Sequence, residues 1–150
     1  MLCEHDYNWI LDGIAVGNIK AGSDFDHLKS QGISVIICAI PQLPRPMEDY
    51  KKYGITLLHI PVDDSPEVDI GRWFDSVSEF IMAHRLMNRK VLVHCHAGMS
   101  RSVSLVCAFL INLFCCNHVR ALYWIRERRP CINVNPGFLR QLETYGRKFN

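Results

Sequence analysis

A chain of 150 residues is long enough for one compact domain and too short for two. Hydrophobic residues make up 49% and charged ones 21%, a composition that folds and excludes a disordered tail. Seventeen basic residues against 15 acidic leave a formal charge of +2, which gives no general reason to expect a nucleic-acid or membrane-surface protein, although a local anion site needs only a few groups.

Short apolar runs alternate with amphipathic helical stretches, which predicts an α/β fold with a central, mostly parallel sheet flanked by helices. Ile14-Ala15-Val16 reads as a strand closed by Gly17. Ser23 can cap a helix over Asp24 to Gln31, which Gly32 ends. Val35 to Ala39 is a β-branched run without polar alternation, a central strand, and Pro41, Pro44 and Pro46 then enforce a loop. Thr56 to Ile60 is another strand, followed by an acidic loop from Pro61 to Asp69. Ile70, Phe74, Val77 and Ile81 stand at helical spacing, with Trp73 and Phe80 widening the face. Val91-Leu92-Val93 is a third buried strand, and a polar loop leads from it into an apolar helix. Val119, Leu122 and Tyr123 mark a helix stopped by Pro130. The last helix has Asn135 as N-cap and Pro136 at its first position, with Phe138, Leu142, Tyr145 and Phe149 facing inward.

The seven cysteines are odd in number, the chain can build its own core, and MLCEHDYNW shows no signal-peptide pattern. A reduced cytoplasmic setting is therefore expected, with the nucleus as the alternative. The apolar stretch from Val103 to Cys116 falls short of the roughly 20 residues a bilayer span needs. Leu2 excludes a myristoylated glycine, and no cysteine stands near the C-terminus for prenylation.

The chemistry concentrates in Val91 to Ser102, VLVHCHAGMSRS. A buried strand feeds a loop of small residues that opens on Cys95 and closes on Arg101, with five residues between them, at a helix start. Successive backbone N–H groups at a helix N-terminus cradle an anion. Ala97 and Gly98 let the backbone curl closely, and the Arg101 guanidinium can bind two phosphate oxygens at once. The field that binds phosphate also favours the thiolate, the nucleophilic form of a cysteine placed at its head.

HCHAGMSRS resembles the signature loop of cysteine-dependent protein phosphatases, in their small dual-specificity branch. The likeness extends over nearly the whole chain. Ile14 to Asn18 is similar to the family's opening strand, with Ala15 where an aromatic is usual. Asp64 to Ile70 looks like its general-acid loop, and Arg129-Pro130 with Asn135 to Phe138 and Gln141-Leu142 resembles its C-terminal block, Val134 replacing a proline. The resemblance implies one catalytic domain over residues 1–150 and a two-step reaction. Cys95 attacks phosphorus to give a phosphocysteine, and a carboxylic acid protonates the leaving oxygen. Water then hydrolyses the intermediate. Asp64, 31 residues before Cys95, is the expected acid, and Asp63 the alternative. Residues His96, Ala97, Gly98, Met99 and Ser100 are expected to bind the phosphate. Ser102 is expected to hydrogen-bond the sulfur, or else to cap the helix start. His94 supports the loop, and Asn135 braces it from behind or caps its own helix.

No metal or cofactor is expected: residues leaving a strand in succession point opposite ways, so His94-Cys95-His96 makes a poor ligand set. Cys115-Cys116 with His118 is equally weak, and Cys107 is expected in the core. Cys38 ends the central strand, where some related phosphatases hold a cysteine that traps the oxidised nucleophile; a plain core residue is the other reading. The arginines 126, 128, 129, 140 and 147 read mostly as solvated surface. The expected substrate is phosphotyrosine and phosphoserine/threonine in proteins, a phosphorylated kinase among the candidates. A phosphoinositide or an RNA 5′-phosphate is the second reading, disfavoured by a loop without lysine. A catalytically silent phosphate-binding module is the third.

Overall fold

The computed structural model describes residues 2–149. Five strands form one mixed sheet: β1 (Tyr7–Leu11), β2 (Ile14–Gly17), β3 (Ile33–Cys38), β4 (Thr56–His59) and β5 (Lys90–His94), in the order β1-β2-β5-β3-β4. β1 and β2 are antiparallel and every other pair is parallel. The expected fold class holds. The runs without polar alternation are the inner strands: β2 is buried along its whole length, and β3 and β5 nearly so.

Among the described residues seven α-helices surround the sheet: α1 (Ile19–Ser23), α2 (Phe25–Ser30), α3 (Met47–Lys52), α4 (Phe74–Leu86), α5 (Arg101–Phe114), α6 (His118–Arg128) and α7 (Pro136–Gly146). The first ten residues of α5, apart from Arg101, are buried, and α5 packs on α4, α6, α7 and strands β5 and β2. α1 lies on β5 and β2, α2 on β3, and α3 on β4. Among the described residues no single helix is long and apolar enough to cross a membrane.

Several boundaries differ from the sequence reading. Ser23 does not cap α2. It ends α1, its hydroxyl donating to the Ile19 carbonyl, and the cap is Asp24, which accepts from the His27 N–H. α1 escaped notice because it is short, and Asn18 starts it by accepting from the Ala21 N–H. β1 is a half-buried edge strand with weak alternation, and α3 contributes only Tyr50 to the core. Val119 and Tyr123 face solvent; α6 is held by Ala121, Leu122 and Ile125. Phe149 lies beyond α7 in a 3-10 turn and is half-buried.

Cys3 and Cys131 are joined by a disulfide, with Cα atoms 5.0 Å apart. An intramolecular bond across 128 residues was not expected from the sequence; the fold brings the N-terminal segment alongside the turn after α6. Cys38, Cys95, Cys107, Cys115 and Cys116 are free.

Candidate active site

β5 ends at the buried His94, the buried Cys95 follows it, and the chain turns there into α5. The turn is shaped by hydrogen bonds to its carbonyls. His96 O accepts from the Ile19 N–H at 2.9 Å, and Met99 O from the Asn133 N–H at 2.9 Å. Gly98 O accepts from Arg129 Nε at 2.8 Å and Ala97 O from Arg129 Nη2 at 3.4 Å. Ser100 O accepts from the Ser104 N–H, one turn into α5. Five consecutive carbonyls are thus held outward. In a trans peptide the N–H points opposite to the C=O, so the next five amides, Ala97 to Arg101, face inward around Cys95. Gly98 makes the curl possible: its φ is +71°, and a Cβ would lie 2.6 Å from Arg129 Nη2 and from the Gly17 carbonyl carbon.

Cys95 Sγ is 3.2 Å from Ser102 Oγ, and both residues are buried. Ser102 lies inside the first turn of α5, where it serves the sulfur; the residue at the cap position is Ser100. Arg101 Nη1 donates to the Val62 carbonyl at 3.1 Å, tying the guanidinium to the acidic loop. Arg101 Nε is buried without a partner among the described residues, a donor left free for a ligand.

The acidic loop is laid against α7. Gly137 permits this, because a Cβ there would run into the Pro66 carbonyl. Gln141 clamps the far end, donating to Val68 O and accepting from the Gly71 N–H. Asn135 joins three parts of the site. Its Oδ1 caps α7 through the Phe138 N–H, its own N–H donates to Ser100 Oγ at 3.1 Å, and its Nδ2 donates to Asp64 Oδ1 at 2.8 Å. It therefore both caps and braces. Asp63 makes no hydrogen bond to any described residue. Glu67 accepts from the Ser65 hydroxyl, which holds its carboxyl below the ordinary value, the wrong direction for a proton donor at neutral pH.

Two findings bear on the supporting residues. Arg129 is not solvated surface: its side chain is fully buried behind the loop, with all its partners distant in sequence. Cys38 is adjacent to His94 in the β3–β5 register, and burial pushes its thiol up to about 11, so at neutral pH it is the protonated form.

His94 Nδ1–H donates to the Cys95 carbonyl at 3.0 Å, which leaves Nε2 bare, buried and without a partner among the described residues. Burial pushes the imidazole down to about 4. Below pH 6.5 the unfolded chain takes up a proton at this histidine that the folded chain refuses, so stability falls as pH drops from about 6.5 to about 4. The expected loss is about 3 kcal/mol at the low end of that window. Urea midpoints across the window check this: a neutral His94→Gln variant should lose about one proton of pH dependence, and an unchanged slope would count against a neutral buried His94.

The dual specificity phosphatase catalytic domain model matches residues 14–148. Human dual specificity protein phosphatase 15 is 39% identical over 137 residues, which are 91% of this chain and 45% of that protein. Human dual specificity protein phosphatase 22 is 38% identical over 138 residues, 92% of this chain and 72% of the relative. The chain thus spans under half the length of the first and nearly three quarters of the second. A solved structure of DUSP15 superposes with a TM-score of 0.85 at 36% identity, covering 93% of this chain and 86% of that one. The match runs from β2 to the turn beyond α7 and includes the strand, loop and helix that enclose Cys95, so the chain belongs to the dual specificity phosphatase family.

Proposed function

We propose that the chain is a metal-independent protein phosphatase that hydrolyses phosphotyrosine and phosphoserine/threonine through a phosphocysteine. The observation that carries this reading is the buried, unpartnered Arg101 Nε beside a run of inward amides, with a sulfur at the base. Three equatorial phosphoryl oxygens would take those donors, and phosphorus would then stand over Cys95 Sγ. The sulfur attacks in line, and its bond to phosphorus forms as the ester bond breaks. Asp64, oriented by Asn135, gives its proton to the departing oxygen. A water then attacks phosphorus, the carboxylate takes its proton, and the Ser102 hydroxyl stabilises the leaving sulfur at 3.2 Å. A phosphorylated protein, such as an activated kinase, is the proposed partner, and the cytoplasm or nucleus the proposed compartment.

Initial rates on phosphotyrosyl, phosphothreonyl and phosphoinositide substrates, with a chelator present, test the assignment. Phosphopeptide turnover is expected to lead and to be unaffected by the chelator; a dominant phosphoinositide rate would move the substrate to lipid.

The acid is tested separately. Asp64→Asn is expected to slow alkyl phosphates by about 10²–10⁴-fold, the usual worth of general acid–base assistance, and aryl phosphates with good leaving groups much less. If Asp63→Asn shows the larger loss instead, the acid is Asp63 and the Asn135 bond serves only to pin the loop.

A further inference from the structure

The back of the nucleophile loop is held by a device that the phosphatase reaction does not itself require. Arg129 extends one guanidinium across two pieces of chain. Nε and Nη2 hold Gly98 O and Ala97 O, while Nη1 donates to His5 O at 3.0 Å and to Asn8 Oδ1 at 2.7 Å. Two residues further on, Cys131 is bonded to Cys3, and two beyond that the Asn133 N–H holds Met99 O. The N-terminal segment is anchored at Asp6, where the backbone and side chain of Asn18 both donate to it. Ahead of Asp6, the disulfide and the Arg129–His5 bond are what fasten it among the described residues.

We propose that Arg129 is a positioning residue for the phosphate loop and that the Cys3–Cys131 pair is its redox latch. With the sulfurs joined, the His5 carbonyl closes one side of the arginine's seat, and the guanidinium holds the Ala97 and Gly98 carbonyls outward. A dithiol reductant breaks the S–S bond, giving the Cys3 and Cys131 thiols and leaving as its own cyclic disulfide, two electrons and two protons having passed to the protein. The segment ahead of Asp6 then detaches, the His5 carbonyl leaves Nη1, and water enters a seat that had been dry. A buried guanidinium that loses a partner re-forms its hydrogen bonds with water, at the expense of its hold on the loop. The catalytic sulfur takes no part in this exchange. The inference rests on the loop being a phosphate site.

The test uses the Cys95→Ser protein, so that the reductant cannot act on the nucleophile. Purified without reductant, it should yield a Cys3–Cys131 peptide by mass spectrometry; free thiols at both positions would overturn the proposal. Inorganic tungstate affinity and amide exchange over residues 96–100 are then read before and after dithiothreitol. Reduction is expected to weaken tungstate by about fivefold or more, the lower range of coupling between sites, and to speed exchange of the loop amides. Adding Cys3→Ser should give the weak affinity from the start and remove the response to dithiothreitol. Arg129→Lys in the same background should do likewise, since the latch then has nothing to act through. Unchanged affinity and exchange on reduction, or an equal response in the Cys3→Ser protein, would overturn the latch. Tungstate that fails to bind the oxidised protein would instead defeat the phosphate-site reading, while the exchange measurement still judges the latch.

Discussion

Turnover by the Cys95→Ser protein should be undetectable, while its fold and its binding of phosphate-like oxyanions persist. Serine replaces one buried atom by a smaller one at a position where Sγ touches Ser102 Oγ, so no large cavity opens and the carbonyl pattern of the loop is untouched. The amides and Arg101 still present their donors. What is lost is the nucleophile: a serine hydroxyl stays protonated where a thiol gives its thiolate, and His94 Nδ1–H is committed to the residue 95 carbonyl rather than to its side chain. Circular dichroism, tungstate affinity and a phosphopeptide assay on one preparation check the three parts. A variant that retains even about a tenth of wild-type turnover would falsify the covalent mechanism, because a route through one obligatory atom leaves no such remainder.

Arg101→Lys tests whether the loop needs charge or shape. Arg101 does two things at once, Nη1 fixing the Val62 carbonyl while Nε stays unpartnered. A lysine keeps the charge but has one nitrogen, and it cannot hold the acidic loop and present a second, rigidly placed donor to a phosphoryl oxygen. Losing a transition-state donor of this kind costs about 2.7–4 kcal/mol, so turnover is expected to fall by roughly 10²–10³. Vanadate affinity should fall with it, because vanadate presents the trigonal oxygens that the donors meet. Near-normal turnover by the lysine variant would mean that the arginine serves only to tether Val62, and the reading of the loop would fail.

The legible parts of the site are those encoded locally. Cys95, the loop and Arg101 lie within a few residues of each other between a strand and a helix, and spacing alone places them. Asn135 showed its capping role in Asn-Pro-Gly-Phe, but its bonds to Ser100 and Asp64 cross 35 and 71 residues, and no local pattern carries them. Arg129 is the sharper case. It sits among other arginines at the end of α6, and only its partners at positions 5, 8, 97 and 98 distinguish a buried brace from a solvated charge. Val119 and Tyr123 erred the other way: apolar and well spaced, they face outward because α6 turns Ala121, Leu122 and Ile125 inward. The Cys3–Cys131 bond depends likewise on a meeting of chain ends.

The strand order also governs how the chain is assembled. β2 and β3 are neighbours only through β5, which is the middle of the sheet and leads directly into Cys95. Until residues 90–94 exist, β1 with β2 forms one fragment and β3 with β4 another, each with a bare apolar edge facing a gap of one strand. Between Gly17 and His94 the ribosome adds 77 residues, about 4–15 s at the usual rates of synthesis, during which neither edge can close. Such edges invite pairing with other chains, and parallel partners distant in sequence fold slowly. The strand that leads into Cys95 is thus the one that ends this exposure, and a chain interrupted before it would be left both without the proposed nucleophile and prone to aggregate.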